Sequence, residues 1–137
     1  MNTILVTGGA GYVGAVLVPK LLARGFRTRV LDLMLYGEDV LDQVRHDPRL
    51  EVIRGDLRDA SVVKASMRGI DTVIHLACIS NDPSFDLDPA LGRSINLDAF
   101  RPLVEAARTA GATRFIFASS SSVYGVKQVE NVDEGMD

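Results

Sequence analysis

The chain has a single cysteine, Cys78, among its 137 residues, which excludes an internal disulfide and a cysteine-based metal cluster. It also lacks any run of like charge: fifteen basic against eighteen acidic side chains give a formal charge of −3. A nucleic-acid surface and a polybasic membrane anchor are therefore not expected. No apolar stretch reaches the length of a membrane span, and Asn2 and Thr3 do not make the basic start of a secretion signal. Internal repeats and low-complexity linkers are missing as well. These absences leave a metal-free protein of the reducing cytoplasm as the expectation. With 47% hydrophobic residues, the chain has enough apolar surface to bury the core of one domain.

The strongest positive feature is the start, MNTILVTGGAGYVG. An apolar run over Thr3–Val6 meets four glycines between Gly8 and Gly14, and a helical pattern follows at once. Glycines allow a tight turn and close approach of a ligand to the backbone, and a helix N-terminus offers unpaired N–H groups with a positive dipole end. Such a join is where a nucleotide's pyrophosphate can sit.

Apolar residues at helical spacing predict a helix from Val13 to Leu22, bent at Pro19 and stopped by Gly25. Strands are predicted over Thr28–Leu33, Leu50–Ile53, Thr72–Ala77 and Arg114–Ala118. Between them lie helices over Glu38–His46, from the cap Asp59 to Met67, and over Leu91–Ala110, the last with a kink at Pro102 or a start later than Leu91. Asn81–Pro89 reads as a loop or short turn. Five strands alternating with helices imply an α/β doubly wound parallel sheet. Asp32 at the end of the second strand can accept hydrogen bonds from both adenosine ribose hydroxyls and repels a 2′-phosphate, so NAD is expected over NADP.

These features, together with four further stretches, resemble the extended short-chain dehydrogenases/reductases, especially their NAD-dependent nucleotide-sugar epimerases and dehydratases. Thr7-Gly8-Gly9-Ala10-Gly11-Tyr12-Val13-Gly14 is similar to the family's TGxxGxxG fingerprint. Gly55-Asp56-Leu57-Arg58-Asp59 resembles its adenine-contacting turn, and His75-Leu76-Ala77-Cys78 its H-x-A-A strand end. Asn96 matches the asparagine of its long helix, and Ser119 to Gly125 its serine-bearing V-Y-G segment. The resemblance implies a Rossmann fold in a single truncated domain over residues 1–137, with the family's C-terminal substrate domain absent.

Residue by residue, it implies a cofactor site of Gly8, Gly11, Tyr12, Val13 and Gly14 at the pyrophosphate, Asp32 and Leu33 at the adenosine ribose, and Asp56 and Leu57 at the adenine. Leu76 and Ala77 would floor the nicotinamide ribose, and Asn96 belongs to the same set. Ser120 takes the place of the active-site Ser/Thr, which hydrogen-bonds the reacting sugar oxygen. The family's 4,6-dehydratases carry an acidic pair directly after that residue, where this chain has Ser121 and Ser122, so an epimerase or a reductase is expected rather than a dehydratase.

The family's base, a tyrosine in a Tyr-x-x-x-Lys pair, would fall beyond Asp137; Tyr124 has Gln128 where that spacing needs lysine. The chain alone is therefore expected to be catalytically incomplete, and the intact enzyme to be a homodimer acting on a nucleotide sugar. A single-pass dehydrogenase or reductase and a non-catalytic dinucleotide-binding module are the alternatives. His75, in an apolar strand, is expected to be a hydrogen-bonded structural residue, and Cys78 a small buried side chain near the cofactor. Asp82, Asp86 and Asp88 lack the spacing of a calcium loop and are expected to face solvent.

Overall fold

Consecutive apolar residues suit a strand covered on both faces, and Thr3–Thr7, with Ile4, Leu5 and Val6 buried, is the central strand β1. The computed structural model describes residues 2–80, 82–125, 133 and 135; Asn81, Gln128 and the other residues lie outside these. Around β1 run β2 (Arg27–Asp32), β3 (Leu50–Arg54), β4 (Thr72–His75) and β5 (Arg114–Phe117), all parallel, in the order β3-β2-β1-β4-β5. This is the doubly wound, Rossmann-like sheet.

Its two cores follow from the two-residue period of the strands. Leu5 and Leu31 point to one face, where they join Val63 of α2 (Ala60–Ser66), Met67 at its C-cap and Leu103 of a later helix. Ile4, Val6 and Val30 point to the other, against Val18 and Leu22 of α1 (Gly14–Ala23). Full burial of each such side chain contributes about 1.5–3 kcal/mol. Among the described residues no helix is long and apolar enough to cross a membrane.

Three expectations are corrected. The stretch Glu38–His46 is no helix; only Asp42–Val44 makes a single 3-10 turn. So short a segment is marginal as a helix on its own, and it is tied outward, with the Glu38 carboxylate accepting from Arg54 at 2.6 Å. The region after β4 is not a plain loop, since α3 (Asp82–Leu87) and α4 (Pro89–Arg93) form there. Asp88 accepts from the Leu91 N–H at 2.9 Å, and Pro89 opens α4 where its missing donor does no harm.

The long helix is broken, and its main part starts later than Leu91, at Phe100. A π turn over Ser94–Asp98 separates α4 from α5 (Phe100–Thr109). Pro102 has no N–H to offer Asp98, and the wide turn ends there, which rephases the helix.

Candidate functional site

The strand order reverses between β1 and β4, and ligands of such sheets bind beyond the strand ends at that reversal. There the chain ends β1 in the turn Gly8–Val13 and enters α1. Gly8 takes φ +72°, and a Cβ on it would lie 2.6 Å from the Ala77 backbone, so glycine lets the turn after β1 sit directly on the segment after β4. Gly14 is equally confined, because its Cβ would fall 2.2 Å from the Gly9 carbonyl oxygen.

The turn is held from below by main-chain bonds, Gly8 N–H to Leu31 O at 2.9 Å and Gly11 N–H to Gly8 O at 3.1 Å. It is held from the side by Asp32: one carboxylate oxygen accepts from Ala10 N–H at 2.9 Å and the other from Met34 N–H at 2.8 Å. Asp32 is thus the strand-end cap of β2 and the brace of the glycine turn. Each oxygen keeps lone-pair capacity for a further donor.

Helix α1 starts bare. Its N-cap, Val13, makes no side-chain cap bond, and no acidic residue lies in the first turn. The helical bonds begin with Ala15 N–H to Gly11 O at 2.9 Å, so the N–H groups of Tyr12, Val13 and Gly14 precede the ladder. Tyr12 is 95% exposed and Val13 56%. This is the arrangement that attracts an anion.

Beside the turn lies a groove that brings Gly8, Gly11, Asp32, Leu33, Leu57, Leu76 and Ala77 together. Tyr12, Val13 and Gly14 border it at the helix start rather than lining it. Gly55, Tyr36, Ile79 and Ile95 line it too, and sequence reasoning missed them as site residues, whereas Cys78, which also lines it, is expected near the cofactor. Gly55 lies within the stretch that resembles the adenine-contacting turn and Ile95 directly before the motif residue Asn96, whereas Tyr36 and Ile79 carry no local signal.

Asp56 and Asn96 are placed differently from expectation. The Asp56 carboxylate is taken by Arg58, whose Nε donates at 2.9 Å, and this guanidinium holds the carboxyl below the usual carboxylate range. The Asn96 amide is spent on the main chain of Ile79, accepting from its N–H at 2.8 Å and donating to its carbonyl at 3.0 Å. Its influence on the groove therefore runs through Ile79.

Cys78 is exposed, which corrects the expectation of a buried side chain. The protein on its inner side pushes the thiol up, away from a reactive thiolate. His75 is 2% exposed and its Nδ1 lies 2.6 Å from Thr7 Oγ, while its ring stacks on Phe117. Burial lowers its pKa, so it rests neutral and structural.

Ser120 sits past the end of β5, exposed and outside the groove lining, with its carbonyl accepting from Val123 N–H at 3.3 Å. Ser119 before it has φ +42°, and Ser121–Tyr124 is a 3-10 turn. Among the described residues no cluster of His, Cys, Asp or Glu could hold a metal.

A glycine turn at the sheet's reversal point, a bare helix start and a carboxylate at the end of β2 define a dinucleotide-binding type of α/β domain. The chain belongs to the NAD dependent epimerase/dehydratase family, whose profile matches residues 4–136. A 3β-hydroxysteroid dehydrogenase/Δ5→4-isomerase of Mycobacterium tuberculosis is 38% identical over 139 residues, covering 98% of this chain and 36% of that protein. The dTDP-glucose 4,6-dehydratase DesIV of Streptomyces venezuelae, crystallised with NAD, superposes with a TM-score of 0.89 at 31% identity, covering 98% of this chain and 44% of that one. The UDP-glucose 4-epimerase of Thermus thermophilus, in complex with NAD, gives a TM-score of 0.83 at 33% identity, covering 98% and 43%. The chain thus spans between 36% and 44% of the length of these relatives.

Proposed function

We propose that residues 1–137 are the NAD-binding Rossmann domain of a nucleotide-sugar epimerase, with the substrate domain lying outside this chain. The observation that carries the reading is the pairing of an uncapped α1 start with Asp32 across one groove. Tyr12, Val13 and Gly14 would present their N–H groups to the pyrophosphate over Gly8 and Gly11, and Asp32 with Leu33 would hold the adenosine ribose. Leu57 would line the adenine side, and Leu76 with Ala77 the nicotinamide ribose; Asp56 and Asn96 would act through Arg58 and Ile79. When bound, NAD supplies a transient hydride acceptor. Ser120 would hydrogen-bond the reacting sugar oxygen beside a base supplied from outside the 137 residues. The intact enzyme is read as a cytoplasmic homodimer, a compartment that a lone cysteine suits.

Calorimetry tests the cofactor part. The chain should bind NAD about tenfold or more tightly than NADP, because Asp32 repels the added phosphate. Equal or reversed affinities overturn it. The identity to a hydroxysteroid dehydrogenase favours a second reading, a single-pass dehydrogenase. Net NADH formation, followed by absorbance on the protein carrying its substrate domain, would select that reading over the epimerase.

A further inference from the structure

A second cavity adjoins the Asp32 carboxylate. It is lined by Ala10 and Met34, the two residues whose N–H groups hold Asp32, and by Glu38, Arg45 and Arg54. Arg54 is the direct cross-strand neighbour of Asp32 at the ends of β3 and β2. In a parallel pair such neighbours share one face of the sheet, so the Arg54 guanidinium stands where an anion on the adenosine ribose would find it.

It is not left for that anion. Its Nη1 donates to Glu38 Oε1 at 2.6 Å, while the Glu38 carbonyl accepts from Arg45, which also pairs with Asp42 at 3.3 Å. Each oxygen of Asp32 accepts from the backbone, and Arg54 pairs with Glu38 instead of Asp32. The cavity therefore holds two cations, each neutralised by a neighbouring carboxylate.

We infer that Glu38 is a second cofactor-discriminating residue: by pairing with Arg54 it cancels a charge that would otherwise receive the 2′-phosphate of NADP. The inference rests on the reading of Asp32 as the ribose-binding carboxylate. The pair is exposed, with side chains 69% and 64% accessible, so its effect is that of one screened charge rather than of a buried lock.

The test is calorimetry with NAD and with NADP on the 137-residue chain, on Glu38→Gln and on Glu38→Gln/Arg54→Gln. Glu38→Gln should tighten NADP binding about fivefold at low salt, the size of one unit-charge interaction near the surface, and leave NAD within about twofold. The double substitution should return NADP to the parent value, and raising the salt should shrink the gain. An unchanged NADP affinity in Glu38→Gln, or a gain that survives Arg54→Gln, overturns the inference while leaving the NAD site standing. A parent chain that fails to bind NAD overturns both.

Discussion

Two joins in this molecule carry the chain from a parallel strand through glycine into a helix, and they end differently. Between β3 and α2 the chain's own side chains answer the helix start. Asp59 caps α2, accepting from Ser61 N–H at 2.8 Å and Val62 N–H at 3.3 Å, and Asp56 is held by Arg58. Between β1 and α1 there is no side-chain cap and no acidic residue in the first turn. A glycine-bearing strand-to-helix join is therefore not an anion site by virtue of its glycines, even though Gly55 and Leu57 of the second join line the same groove. The join suited to an anion is the one whose helix start carries no side-chain cap and no acidic residue.

The largest effect is expected from closing the open join sterically. Gly14→Ala would set a Cβ 2.2 Å from the Gly9 oxygen and 2.5 Å from its carbonyl carbon, atoms that cannot move without displacing the turn. Urea denaturation should show a loss of about 3 kcal/mol or more, with NAD binding abolished. Gly25→Ala is the control, because φ there is +87° but nothing lies within 4 Å. It should cost only about 1–2 kcal/mol, from backbone strain alone. Equal losses at the two positions would mean that close packing of the turn is not what holds the site.

A smaller effect should follow from giving the open join what the closed one has. Val13→Asp places a carboxylate at the exposed start of α1, where it favours the helix dipole and opposes a bound pyrophosphate. NAD affinity should fall on the order of tenfold at low salt and recover partly at high salt, with no loss in urea midpoint. The neutral Val13→Thr should bind as the parent does. An affinity drop of the same size in both variants would point to lost contact area instead of charge.

The sheet, its parallel sense and the open join were legible in the sequence because each has a local cause. Ile4-Leu5-Val6 reads as doubly buried strand, and the glycines precede a helical period without a capping residue. The irregular elements were less legible, since tertiary partners decide them. Glu38–His46 has helical spacing, but Glu38 is drawn to Arg54, and only the fold brings that residue near. The break at Ser94–Asp98 depends on Pro102, which the sequence shows as a kink without fixing its width. Within the site, Asp56 and Asn96 carried the right motif, yet their polar atoms are committed to Arg58 and Ile79. A motif position is visible in sequence, whereas the partner that claims its side chain is not.

The smallest effect tests the closed join. Asp59→Ala removes the cap of α2 and should lower the urea midpoint modestly while leaving NAD affinity unchanged, because Asp59 does not line the groove. The effect should depend on pH in a defined direction. Hydrogen bonds from the Ser61 hydroxyl, then from the Ser61 and Val62 N–H groups, hold the Asp59 carboxyl below its ordinary value of 3.8. A carboxyl whose pKa is lowered by folding stabilises the fold above its unfolded pKa, and that contribution disappears as the pH falls through the lowered folded value. The gap between parent and Asp59→Ala should therefore be constant from neutral pH down to about pH 5, then narrow below 3.8. A gap that stays constant through the acid range would mean that the ionised carboxylate is not what answers the α2 donors, and the contrast between the two joins would lose its electrostatic basis.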